Sequence, residues 1–163
     1  MRYFFQLLQA LKTLHEHRII HRDLKCANVF LSGDKQTAIL GDMNVSKILK
    51  DMFAETQTGT PYFASPEVWR CERYDSKTDI WSLGCVVFKM CNFIQPFQAP
   101  DIDQLFLEVQ QRKIQEFDMR YSLELRAIVK ECLCIDPKER PSAKELLSRP
   151  IFNQLQSDYK KKN

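Results

Sequence analysis

Glycine is scarce in this sequence, and its few glycines cannot form a phosphate-binding loop. The chain has four glycines in 163 residues, and no two of them fit the pattern G-x-G-x-x-G. The pattern G-x-x-x-x-G-K-[ST] is also absent, which excludes an ATPase of the P-loop type. No strand with a V-A-I-K-like lysine comes before residue 20.

The cysteines and histidines lack the spacing of a metal site. No two cysteines form C-x-x-C, and none of the three histidines has zinc-finger spacing, so a zinc site is not expected. The sequence shows no signal peptide and no apolar run of membrane-spanning length. We therefore expect a cytoplasmic protein with reduced thiols and no membrane contact.

Neither sign of charge predominates in the chain. The chain has 24 basic and 21 acidic residues, a net charge of +3, and its charges are interspersed. The basic run at residues 160–162 is expected to be a frayed, solvated end rather than a nucleic-acid contact. Length and a hydrophobic content of 44% favour one globular domain, which we place at residues 1–153, followed by a polar basic tail at 154–163.

One charged loop carries the clearest chemical signal. It is the octapeptide His21-Arg22-Asp23-Leu24-Lys25-Cys26-Ala27-Asn28, which has the pattern H-R-D-L-x-x-x-N. The spacing between its two ends is too short for a helix and a turn, so the polar side chains come from one loop. They are expected to face one site.

Three side chains of this loop suit phosphoryl transfer. Asp23 can take the proton of a substrate hydroxyl, and the amide oxygen of Asn28 is a hard ligand for Mg²⁺. Lys25 can neutralise charge on the moving phosphoryl group. A solvated turn with mixed charges is the alternative interpretation.

The hydrophobic pattern predicts a mainly α fold with one small hairpin. Apolar residues recur at helical spacing before and after the loop, and short apolar runs flank a Ser-Gly-Asp turn. Ser76 is expected to cap the helix at residues 74–90, and Asp101 the helix at residues 101–113. The predicted helices span residues 2–17, 74–90, 101–113, 122–133 and 143–148, and the predicted strands span 28–31 and 37–40.

These motifs together resemble the C-terminal lobe of a eukaryotic protein kinase. Within the kinases, the runs Gly41-Asp42-Met43-Asn44-Val45-Ser46-Lys47 and Gly59-Thr60-Pro61-Tyr62-Phe63-Ala64-Ser65-Pro66-Glu67-Val68-Trp69 are most similar to the NIMA-related (NEK) family. The resemblance covers essentially the whole chain. It implies a helical lobe with a small β-hairpin at the rim of the active site.

The resemblance also implies a nucleotide site. Asp42 matches the aspartate of D-F-G and would hold Mg²⁺ with Asn28, although Met43 and Asn44 replace the phenylalanine and glycine. Phe30 matches a residue that lies beneath the adenine ring, and core packing is its alternative role. The implied cofactors are ATP and Mg²⁺.

The segment before Ser65-Pro66-Glu67 resembles an activation segment. A phosphate added to Thr56, or as a second candidate Thr58, would pair with Arg22 and order the loop. Both threonines can equally be unmodified. Thr60 matches the family threonine that contacts the catalytic aspartate and lysine.

Several residues are implied as structural supports of this site. His21 and Arg22 support the catalytic loop, and Asp79 is expected to brace it from below while accepting backbone hydrogen bonds. Arg140 matches the arginine that pairs with the Glu of A-P-E, here Glu67. A surface arginine is the alternative.

The implied function is a serine/threonine protein kinase that transfers the γ-phosphate of ATP to protein substrates. An upstream activating kinase is a possible partner, whereas nucleic acid and membranes are not expected. Because the sequence offers no glycine-rich loop and no small lobe, we expect this chain alone to have little or no activity. The alternative is a catalytically inactive lobe that acts as a protein-interaction module.

Overall fold

The computed structural model describes residues 1–42 and 61–161. Over these ranges the fold is mainly α with one two-stranded antiparallel sheet, which confirms the predicted class. The helices are α1 (Arg2–Glu16), α2 (Pro66–Trp69), α3 (Lys77–Asn92), α4 (Ile102–Gln110), α5 (Leu123–Cys132), α6 (Ala143–Leu147) and α7 (Asn153–Lys160). The strands are β1 (Val29–Leu31) and β2 (Ala38–Leu40), and three short 3₁₀ helices span Cys26–Asn28, Pro137–Glu139 and Pro150–Phe152.

Helix α1 is amphipathic and places the start of the catalytic loop. Its buried residues recur three or four positions apart, so they share one face that packs on α6 and β2. They are Phe4, Phe5, Leu7, Leu8 and Leu11. Packing this face fixes the C-terminal end of α1, from which the chain enters the loop.

Helix α3 is the centre of the core. It is buried on nearly all sides, as its apolar sequence predicts, and it packs against α5 and α1. Gly84 allows the close approach to α5, because a Cβ atom at this position would lie 2.8 Å from the Cβ of Cys132. The ring of Trp81 stacks on that of Phe97, with 5.5 Å between the centroids.

The hairpin brings two parts of the predicted site together. Strand β1 pairs with β2 so that Val29 faces Leu40 and Leu31 faces Ala38. The backbone N–H of Gly41 then donates to the carbonyl oxygen of Asn28 at 2.9 Å. Asp42, the residue after Gly41, therefore follows directly on a segment that is hydrogen-bonded to the end of the catalytic loop.

Side-chain caps explain the starts of α4 and α5. Asp101 and Ser122 each accept a hydrogen bond from the backbone N–H three residues later, as N-cap residues do. The prediction that Ser76 caps α3 is wrong. Asp75 takes this role, since its Oδ1 accepts from the backbone N–H of Lys77 at 2.8 Å.

The chain is helical from Asn153 to Lys160, and the expected fraying of the basic run at residues 160–162, which starts at the end of this helix, stays a prediction. Phe152 is buried, and Leu155 packs against the core. The ring of Tyr159 lies 6.0 Å from that of Phe5. These contacts recur at helical spacing, and they hold α7 against the start of α1. The domain boundary at residue 153 stays a prediction.

All six cysteines are free, and two of them are shielded from reaction. Burial raises the pKa of Cys132 to about 12, and it raises the pKa of Cys85 as well. Such thiols are poor nucleophiles and act as packing groups. In the described part of the chain, no helix has both the length and the apolar character needed to cross a membrane.

We predict that Gly84→Ala destabilises the protein by about 1–3 kcal/mol, because the added methyl group clashes with the Cβ of Cys132. Urea denaturation of the variant measures the loss. Gly33→Ala is the matched control, since a Cβ there meets nothing within 4 Å. Equal midpoints for both variants would show that α3 and α5 are not closely packed at this point.

Candidate functional site

Two residues between the end of α1 and Asp23 have a left-handed backbone conformation. Arg18 has a φ of 59° and Arg22 a φ of 70°, conformations that are uncommon for residues other than glycine. The surrounding structure must hold Arg22 in place, because such a conformation persists only where neighbouring contacts determine it. Asp79 supplies these contacts.

Asp79 anchors the loop to the first turn of α3. Its side chain is buried, and it accepts the backbone N–H of His21 at 2.9 Å and that of Arg22 at 3.0 Å. The Nε2 of His15 donates to the same carboxylate at 2.8 Å. A buried carboxylate is costly unless it is hydrogen-bonded, and these three donors offset the cost.

His21 connects the loop to the hairpin. Its buried imidazole donates from Nε2 to the carbonyl oxygen of Gly41 at 3.1 Å. Its Nδ1 accepts the backbone N–H of Asp23 at 3.4 Å. His21 thereby sets the distance between Asp23 and the segment that carries Asp42.

Asp23, Lys25 and Asn28 converge, as their spacing predicts. The Nζ of Lys25 lies 3.0 Å from the Oδ2 of Asp23. The Nδ2 of Asn28 donates to the same oxygen at 3.0 Å and to the backbone carbonyl of Asp23 at 2.7 Å. The amide nitrogen of Asn28 therefore points to Asp23, and its Oδ1 is directed away from that carboxylate.

Two residues of the predicted nucleotide site, one in strand β1 and one after strand β2, are exposed. Asp42 lies at the surface with a φ of 56°, and the side chain of Phe30 is 54% exposed. Core packing of Phe30, which the sequence left open, is therefore wrong. Its ring instead lies over Gly41, where a Cβ atom would be 2.7 Å from the Cε2 of Phe30, so a side chain at this position would displace the ring.

The oxygens near the loop fit a magnesium ion. Asn28 offers an amide oxygen and Asp42 a carboxylate, both hard ligands, and the hydrogen bond from Gly41 N to Asn28 O holds the two segments side by side. Among residues 1–42 and 61–161, no three His, Cys, Asp or Glu form a metal-binding group. A pair of protein oxygens is nevertheless usual for Mg²⁺, which takes its other ligands from phosphates and water.

Arg140 and Glu67 form a buried pair. Two nitrogens of the guanidinium, Nη1 and Nη2, each donate to one carboxylate oxygen at 2.6 Å, and the two side chains are 0% and 2% exposed. The other three N–H groups donate to backbone carbonyls, those of Cys134, Lys77 and Ile135. All five donors of the guanidinium are thus used.

Some of the predicted residues lie outside the described part of the chain. These are Met43, Asn44, Thr56, Thr58 and Thr60. Sequence reasoning also missed His15, which shares Asp79 with the loop. No local pattern marks His15, because its partner is 64 residues away.

The fold and the loop geometry now define the class of protein. The chain belongs to the protein kinase domain family, which matches residues 1–152. Its relatives confirm the resemblance to NEK kinases. It is 36% identical to the serine/threonine-protein kinase Nek5 of Homo sapiens, over 96% of this chain and 22% of the relative.

Two more relatives are of the same kind. The chain is 39% identical to the serine/threonine-protein kinase Nek2 of Homo sapiens, over 100% of this chain and 38% of the relative. It is 41% identical to the G2-specific protein kinase nim-1 of Neurospora crassa, over 86% of this chain and 16% of the relative. The chain thus spans well under half the length of these relatives.

Asp79→Asn should lower the free energy of unfolding by about 1–3 kcal/mol, because asparagine has one acceptor oxygen and leaves a buried N–H of the loop unpaired. Urea denaturation measures the change. Asp75→Asn is the control, because asparagine caps a helix as well as aspartate does. A neutral Asp79→Asn would mean that the carboxylate does not hold the loop.

Glu67→Gln should cost roughly 3–5 kcal/mol, because it leaves the buried charge of Arg140 uncompensated. The matched control is Glu131→Gln, whose pair with Arg149 is 41% and 44% exposed and should contribute about 0–1 kcal/mol. Thermal unfolding of both variants gives the comparison. Similar losses at the two sites would show that the pair at Glu67 is accessible to water.

Proposed function

We propose that the protein is a serine/threonine kinase that transfers the γ-phosphate of ATP to hydroxyl groups of protein substrates. The observation that carries the proposal is the convergence of Lys25 and Asn28 on the carboxylate of Asp23. The two donors orient the carboxylate, which remains partly accessible to a substrate. The relatives, which are named serine/threonine kinases, support the same reaction.

In this proposal, Asp23 accepts the proton of the attacking hydroxyl. Its position is determined by three groups: Lys25 and Asn28 at the carboxylate, and His21 at its backbone N–H. Lys25 also neutralises charge on the transferred group, since its amine lies beside the proton acceptor. Most of the catalysis is positioning and charge stabilisation, as is general for phosphoryl transfer.

Asn28 and Asp42 would hold Mg²⁺, and the ion would neutralise charge on the ATP phosphates. Phe30 would lie against the adenine ring, which is supported by its exposure at the hairpin next to these residues. His21 keeps the hairpin and loop in register through Gly41. The exposed face of the hairpin is thus the proposed floor of a nucleotide site.

Regulation by an upstream kinase is part of the proposal. Phosphate on Thr56 or Thr58 would pair with Arg22, and Thr60 would contact Asp23 and Lys25. One feature of Arg22 supports this role: its Nε is buried and has no hydrogen-bond partner among the described residues. A phosphate group would supply the missing acceptor.

The test is a phosphotransfer assay on the native protein, carrying an affinity tag and expressed in its source cells. Asp23→Asn should reduce incorporation of radioactive phosphate into casein by roughly 10²–10⁴-fold, because the carboxylate is the proton acceptor. Asp34→Asn is the control, since Asp34 lies in the hairpin turn, where asparagine keeps its hydrogen bonds. Undiminished activity of Asp23→Asn would contradict the assignment.

A protein-interaction module is the second candidate. It is favoured by the exposed apolar side chains of the hairpin, which are Phe30, Leu31 and Ile39. A thermal shift with Mg²⁺ and ATP separates the two candidates, because a module without a nucleotide site should show none. We place either activity in the cytoplasm, and the free cysteines support this placement.

A further inference from the structure

A groove that shares no residue with the catalytic site lies between the C-terminal end of α4 and helix α5. It has a volume of about 680 Å³ and is lined by the connection after α4 and by one face of α5. The charged and the exposed apolar residues of its lining are Arg112, Glu116, Met119, Leu123, Arg126 and Lys130. Nothing in the proposed transfer of phosphate uses them.

The walls of the groove are held by hydrogen bonds rather than by apolar packing alone. Arg112 follows α4 with a φ of 54°, and its Nη2 donates to the carbonyl oxygen of Lys130 in the last turn of α5. Asn92, at the end of α3, holds the part of the connection that contains Glu116, because its Nδ2 donates to the carbonyl oxygen of Glu116 at 2.7 Å. These two hydrogen bonds attach the connection after α4 to α3 and to α5.

The charge of the groove is positive. Arg112, Arg126 and Lys130 contribute three cations, and Glu116 is the single acidic residue of the lining. The chain as a whole carries nearly balanced charge, so this local excess is not a consequence of composition. A partner that binds here should carry acidic groups.

Arg126 indicates where such a group would bind. Its Nη1 contacts the sulfur of Met119 at 2.8 Å, a weak acceptor for a guanidinium. Its Nε is buried and has no hydrogen-bond partner within the described ranges. Arg126 therefore has donor capacity that its own chain uses only weakly, and a carboxylate from a partner would bind the accessible part of the guanidinium.

The rim of the groove is apolar. Met119 is 78% exposed and Leu123 is 76% exposed, and both line the groove beside Arg126. Exposed large apolar side chains next to cations suit a ligand with an apolar group adjacent to a negative one. Methionine is well suited to such a surface because its side chain is flexible and polarizable.

We infer that this groove binds a peptide segment of a partner protein in which acidic side chains flank a large apolar one. The carboxylates bind Arg126 and Lys130, and the apolar side chain packs on Met119 and Leu123. The site would hold a substrate or regulator at a distance from the residue being modified. It does not depend on whether the lobe is catalytically active.

The test is fluorescence anisotropy with the full chain and a labelled peptide in which glutamates flank two leucines. Arg126→Glu and Lys130→Glu should each weaken binding roughly tenfold or more, because reversal replaces attraction by repulsion. Met119→Ser and Leu123→Ser should also weaken it. Higher salt should reduce the affinity for the unaltered chain.

Lys144→Glu is the matched control, since Lys144 is exposed, lies on α6 and does not line the groove. It should leave binding unchanged. Circular dichroism of every variant excludes unfolding as the cause of a loss of peptide binding. If Arg126→Glu fails to fold, Lys130→Glu still tests the inference, because Lys130 is exposed.

Four results would overturn the inference. The first is no binding of the peptide. The second is peptide binding that neither Arg126→Glu nor Lys130→Glu changes. The third is equal binding of a peptide in which lysines replace the glutamates. The fourth is tighter binding of a single-stranded oligonucleotide of the same length, which would assign the groove to a nucleic acid instead.

Discussion

The buried carboxylate of Asp79 is the interaction on which the site depends. It lies at the start of the central helix and accepts hydrogen bonds from two consecutive backbone N–H groups of the catalytic loop. A loop held only by its own side chains would not keep Arg22 in a left-handed conformation. Because Asp79 belongs to the most buried helix of the lobe, the loop takes its rigidity from the core.

The buried guanidinium of Arg140 likewise connects separate elements of the lobe. Its guanidinium uses five donors to join α2, the start of α3 and the chain after α5. It also lies 5.0 Å from the ring centroid of Trp81. Asp79 thus fixes the catalytic loop to α3, and Arg140 fixes α2 to the start of the same helix.

Most of the architecture could be predicted from local pattern. The helices follow apolar spacing and end where caps or prolines permit, and the H-R-D-L-x-x-x-N spacing brings Asp23, Lys25 and Asn28 together because they lie on one short loop. One error was also local. Ser76 resembles an N-cap, but Asp75 accepts the hydrogen bond one position earlier, where its longer side chain reaches the N–H of Lys77.

The sequence by itself determined the helical class, the hairpin and the chemistry of the catalytic loop, because these depend on neighbours along the chain. Only the tertiary structure decided the rest. It exposed Phe30 over Gly41, brought His15 to Asp79, and gathered Arg112, Arg126 and Lys130 around one groove. These arrangements join residues from separate elements, and their distances follow from how the helices pack rather than from any spacing in the chain.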